Sequence, residues 1–171
     1  MASIMHQATL TNLPTFLPAA PASAGWAVFE ENRHRVYALA FWMTDHELLA
    51  EEVMQRVFSR AFALESRPSP EAIDRALIME LRAFCEIGPL TLSEPTCEQV
   101  LSVRRNTLRV HLERAVVQLP PTERMIFLLH DVEGYGHDRI SRLLGITTEE
   151  SQFGLHQSRV HVRRLVASMP R

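Results

Sequence analysis

The stretch GHDRISRLLGITTEESQFGLHQSRVHVRRL, residues 136–165, decides the fold. From His137 to Leu144, the apolar residues Ile140, Leu143 and Leu144 share one side of a short helix. Gly145 follows, suited to the left-handed backbone that ends a helix and turns the chain. Ile146 can anchor the turn, and Thr147 or Thr148 can cap what comes next. A longer helix then carries Ser151, Leu155, Ser158, Val162 and Leu165 as its inward stripe. Short helix, Gly turn and second helix together allow the second helix to enter a major groove. The same spacing also fits a plain helical hairpin, and spacing alone does not separate the two.

Upstream, the pattern is helical almost throughout. Phe29, Val36, Leu39, Ala40 and Met43 recur at three- and four-residue steps between Trp26 and Met43. Thr44 or Asp45 is the expected cap of the next helix, whose stripe runs through Leu49, Val53, Val57 and Ala61 with Phe58 and Phe62 beside it. Ser66 to Pro70 is a break, with Ser69 as a cap and Pro70 at the first helical position of a third helix reaching about Glu86. Gly88, Pro89, Ser93 and Pro95 mark a linker. A helix from about Glu98 to Leu119 ends at Pro120-Pro121, and another, begun near Thr122, stops before Gly134. The expected fold class is all-α: two small helical bundles joined by a short linker, the second containing the helix-turn-helix. The boundaries read as a mobile arm at 1–25, a first domain at 26–86, a linker at 87–103 and a second domain at 104–171.

Charge divides along the same line. Residues 1–103 hold 7 Arg and 13 acids, whereas residues 104–171 hold 11 Arg and 7 acids, and the chain has no Lys. A polyanion is therefore favoured by the second half. No apolar run approaches the roughly 20 residues that cross a bilayer, so no membrane insertion is expected. The Pro-containing first 25 residues lack both Arg and acids, unlike a secretory leader, and the expected location is the cytoplasm. Cys85 and Cys97 fit neither a zinc pair nor a disulfide framework. His156 and His161 are five apart and do not share a helical face, while His130 and His137 straddle a loop near Asp131 and Asp138. No metal, cofactor or catalytic residue is expected, since no nucleophile elbow, phosphate loop or carboxylate pair stands out.

Two ordered motifs point to a family. Gln118-Leu119-Pro120-Pro121-Thr122-Glu123-Arg124-Met125-Ile126-Phe127-Leu128-Leu129 resembles the entry to the fourth conserved region of bacterial sigma factors. Glu133 to Ser141 is similar to that family's lead into its helix-turn-helix, and Leu144-Gly145-Ile146-Thr147 to its turn. Leu49-Ala50-Glu51-Glu52-Val53-Met54-Gln55-Arg56-Val57-Phe58 resembles the helix of the second conserved region that docks on core RNA polymerase. The resemblance, to the extracytoplasmic-function type, covers residues 26–65 and 107–166. It implies a transcription initiation factor, not an enzyme, that binds core RNA polymerase through Glu51, Glu52, Gln55 and Arg56. It also implies promoter DNA as a partner, with the helices before the helix-turn-helix facing the polymerase flap. Thr148, Gln152, His156 and Gln157 are the candidate base readers, and Arg159, Arg163 and Arg164 the phosphate contacts. Such factors are commonly monomers when free and held by an anti-sigma partner.

Two departures qualify that expectation. Where relatives carry a Trp- and Asn-containing melting segment, this chain reads Ala72 to Arg82 with neither residue, leaving Arg75 and Arg82 as helix-surface charges. In the recognition helix, relatives place Val, Lys and Arg at the positions of Ser151, Gln152 and Gly154, and often Arg at that of Gln157. Glu149 and Glu150 favour the helix dipole but repel phosphates, so weak DNA affinity is expected of the isolated domain. Two alternatives follow: a sigma-like protein that sequesters an anti-sigma factor without binding DNA, and a conventional dimeric helix-turn-helix regulator.

Overall fold

The computed structural model describes residues 24–92 and 108–169. The arm before Ala24, Cys97 and the expected helix start near Glu98 lie outside these residues. The described chain is all-α. Helix α1 spans Ala24–Thr44, α2 Glu47–Leu64, α3 Pro70–Leu81, α4 Arg109–Val117, α5 Pro121–Phe127, α6 His137–Leu144 and α7 Thr148–Ser168, and a π-helical turn at Leu128–Val132 extends α5.

The first three helices pack as a bundle around Val36, Leu39, Val53, Val57, Phe58, Ile73, Leu77 and Leu81, each at most 1% exposed. Burying each such side chain contributes roughly 1.5–3 kcal/mol. Phe58 is fully buried, not merely flanking the α2 stripe, and meets Phe29 of α1 edge-on at 4.8 Å. Ser69 caps α3 by accepting from the Ala72 N–H, with Pro70 in the first turn. The α2 cap differs from expectation. His46 takes the position through its Nδ1, which accepts from Leu49 N, while Asp45 adopts φ 51° in the turn before it. Helix α3 also stops earlier, at Leu81, and the chain tightens through Ala83, Phe84 and Cys85, whose N–H groups bond back to Glu80 and Leu81.

The linker is not a free tether where it is described. Glu123, in the first turn of α5 and 0% exposed, accepts through Oε1 from the backbone N–H groups of Thr91 (2.5 Å) and Leu92 (2.7 Å). The Thr122 hydroxyl accepts from Gly88 N at 2.8 Å and donates to Gly88 O at 3.1 Å. Residues 88–92 thus form a strap fixed to the head of α5. Its Leu90 side chain lies against Gly154 of α7. A Cβ added at Gly154 would come within 2.8 Å of Leu90 Cδ2 and 2.7 Å of Ile126 Cδ1, so the glycine makes room for the strap.

The two halves also meet directly. Asp74 of α3, with a side chain 3% exposed, accepts from Arg35 of α1 and Arg139 of α6, each at 2.6 Å. Arg82 donates through Nη2 to Leu144 O at 2.7 Å, at the C-terminus of α6, whereas Arg75 is exposed on α3. Arg124 donates to the backbone carbonyls of Trp42 and Met43 at the end of α1, and to those of Val117 and Leu119.

Candidate nucleic-acid interface

Helices α6 and α7 form the helix-turn-helix. Gly145 ends α6 at φ 72°, ψ 34°, and the N–H groups of Gly145 and Ile146 both bond to Ser141 O. Thr147 opens α7 with a capping box: its hydroxyl accepts from Glu150 N at 3.0 Å, and Glu150 Oε2 accepts from Thr147 N at 2.7 Å. One of the two first-turn acids is therefore committed to the helix end. Ser151 Oγ lies 2.9 Å from His137 Nδ1, tying the start of α6 to that of α7. Ser151, Leu155, Ser158 and Val162 are buried as expected, with Leu165 half-buried beside Val166. The Ser158 hydroxyl, buried in this stripe, is satisfied by the carbonyls of Gly154 and Glu123.

The opposite face of α7 presents Gln152, His156, Arg159 and Arg163, all exposed and spaced by four, three and four residues. That spacing places them in one line along the helix. Arg164 is exposed beside them, and Thr148 is half-buried, its hydroxyl 3.5 Å from Asp138. Gln157 departs from this group. It is 4% exposed and turned inward, because it follows Gly154 by three residues on a buried side of the helix.

Arg159 is ion-paired. Its Nε and Nη2 donate to Asp131 Oδ2 at 3.0 Å and Oδ1 at 2.5 Å, and His130 Nδ1 lies 2.9 Å from Oδ1. The hydrogen bond from Arg159 is the largest influence on Asp131 and holds its carboxyl below the usual carboxylate range. His130 and His137 stack with centroids 4.7 Å apart. Desolvation first, then the neighbouring His130 and Arg159, lowers the His137 pKa. Among the described residues no group of three or more His, Cys, Asp or Glu is arranged to hold a metal ion.

On the first half, Glu51 and Gln55 are exposed one turn apart on α2. With Met54 and with Arg33, His34 and Tyr37 of α1 they line a shallow groove. Glu52 and Arg56 pair with each other at 2.5 Å. The four candidate docking residues thus sit on two adjoining faces of α2.

Sequence reasoning passes over four residues that organise the junction: Arg35, Asp74, Tyr135 and Arg139. Tyr135 donates its phenol proton to Asp74 at 2.9 Å and accepts from Arg35 at 2.7 Å, and the Arg139 guanidinium lies 3.8 Å from its ring centroid. Glu123 is likewise passed over, looking like an ordinary helix-surface acid, and Asp131 is noticed only as a neighbour of His130 and His137, not as the partner of Arg159. Asp74 alone carries a signal, an acid flanked by the apolar Ile73, Ala76 and Leu77.

Comparison with known proteins bears on this geometry. Residues 109–162 match the family described as Sigma-70, region 4, a segment that contains α4, α5, α6 and most of α7. The chain is also 25% identical over 154 residues to the ECF RNA polymerase sigma factor SigE of Mycolicibacterium smegmatis. That match covers 80% of this chain and 59% of the relative, so the chain spans less than two thirds of the relative's length. The chain is similar to sigma-70 factors of the extracytoplasmic-function type, and Gln152, His156 and Arg159 of its exposed α7 face lie within the matched region, with Arg163 and Arg164 just beyond its end.

Proposed function

We propose that this sigma-70-like chain is a transcription initiation factor of the extracytoplasmic-function type, which binds core RNA polymerase and directs it to specific promoters. The observation that carries the proposal is the exposed line Gln152, His156, Arg159, Arg163 on the second helix of a helix-turn-helix that matches region 4. In this reading residues 26–86 and 104–171 are the two working domains, and neither performs a chemical reaction of its own. Glu51, Glu52, Gln55 and Arg56 engage core polymerase. Gln152 and His156 face base edges with Thr148 at the helix start, and Arg163 and Arg164 hold phosphates. Gln157, turned inward, is left out of the reading face. The protein works in the cytoplasm as a monomer when free; among the described residues no helix is long and apolar enough to cross a membrane.

The test is co-elution of the purified chain with sigma-free core RNA polymerase at modest salt. Co-elution that disappears in a Glu51→Arg, Glu52→Arg variant supports the proposal. A well-folded chain that never co-elutes refutes it. Tight capture of an anti-sigma factor in that case would identify a sequestering protein, and palindromic DNA targets a conventional dimeric regulator.

A further inference from the structure

The Arg159–Asp131 pair has a particular geometry. Asp131 takes the side-on edge of the guanidinium, Nε and one N–H of Nη2. A guanidinium carries five N–H donors in one plane. Three therefore remain, both on Nη1 and the second on Nη2, and these have no hydrogen-bond partner among the described residues. One N–H of Nη1 and the free N–H of Nη2 form the end-on fork, the edge that matches two acceptors side by side. Asp131 is itself held in place, by His130 and by its position in the π-helical turn after α5. Arg159 is thus fixed at its root and at its flank, in line with Gln152 and His156.

Two ligand chemistries could meet this fork: a phosphate or the O6/N7 edge of a guanine. The structure favours the guanine. A carboxylate beside Arg159 offsets the charge that attracts a phosphate, whereas it orients the plane that a coplanar pair of base acceptors requires. Arg163 and Arg164, exposed on the same helix with no ion pair among the described residues, keep their charge uncompensated and suit phosphates better. Ordering Arg159 before binding also removes part of the rotamer entropy that a long side chain would otherwise lose on contact.

We infer that Asp131 is a positioning residue that presents Arg159 end-on to a guanine in the major groove, making this pair a determinant of promoter specificity. The inference deepens the DNA-binding role proposed above and depends on it.

The full-length chain assembled with core polymerase is used to select binding sites from randomised duplexes, as wild type, Asp131→Asn and Arg159→Lys. Asn has nearly the shape of Asp, and circular dichroism checks that both variants fold. The wild type is expected to enrich a guanine at one position. Both variants are expected to lose that preference by about tenfold or more, at that position and no other. Lysine keeps the charge, so a phosphate contact would survive Arg159→Lys. Retention of the guanine in Asp131→Asn overturns the inference, as does weakening spread evenly over all sequences, and the DNA-binding role then stands without it. A folded wild-type complex that enriches no sequence overturns the DNA-binding role itself.

Discussion

Asp74 and Tyr135 meet at 2.9 Å across 61 residues of chain, the phenol before α6 donating its proton to a carboxylate on α3. Arg35 and Arg139 close on the same carboxylate from opposite halves of the molecule. One acid thereby serves as the common acceptor for three donors. Removing it strands two cations that are only partly exposed.

Asp74→Ala is therefore expected to cost about 3 kcal/mol, the scale for breaking a buried ion pair from one side. The loss should concentrate where the halves meet. Amide hydrogen exchange would show faster exchange in α6 and the Tyr135 loop than in α2. Uniform protection equal to wild type would contradict the assignment.

The pH response of Tyr135 follows from the same contact. Desolvation, then the charge of Asp74, pushes its pKa up to about 12 from an ordinary value of about 10. The folded state thus holds the phenol proton more tightly than the unfolded chain. Stability from this site is complete below pH of about 10 and is lost as pH rises toward about 12. Alkaline denaturation of wild type and Tyr135→Phe measures it. The Phe variant should be less stable at neutral pH, with the gap narrowing across that alkaline window, and a constant gap would refute the coupling.

Gly154→Ala sets two effects against each other. Alanine should favour the helix by about 1 kcal/mol. Its Cβ would press on the ends of Leu90 and Ile126, and overpacking costs about 1–3 kcal/mol. Net destabilisation of up to about 2 kcal/mol is expected, read from the denaturation midpoint. Shortening the strap residue should relieve it: Gly154→Ala should cost less in a Leu90→Ala background. Equal costs in both backgrounds would mean that Leu90 does not occupy this space.

The helix-turn-helix was legible because its signals are local. Gly145 supplies the left-handed turn, Thr147 and Glu150 stand three apart as a capping box, and Ser151, Leu155, Ser158 and Val162 keep a helical period. The outward line on α7 follows once that inner stripe is known. The misplaced cap of α2 has a chemical reason, since imidazole is a less usual acceptor there than Thr or Asp. The junction and the strap left little trace because their partners are remote: Thr91 with Glu123, Asp74 with Tyr135 and Arg139. Nothing in the neighbourhood of Glu123 distinguishes an acid that accepts backbone bonds from one that meets water. The reason for a glycine at position 154 is equally remote, because Leu90, which lies against it, belongs to another segment.

The strap also changes the chain statistics of the junction. Without it, bringing Asp74 to Tyr135 closes a loop of 61 residues. With Gly88 already bonded to Thr122, the path between them is less than half as long. Each doubling of a flexible loop adds about 0.6 kcal/mol of closure entropy, so the bonded strap lowers the cost of assembling the junction by about that amount. Glu123 and Thr122 therefore strengthen a contact in which neither takes part, by leaving less slack for it to gather in.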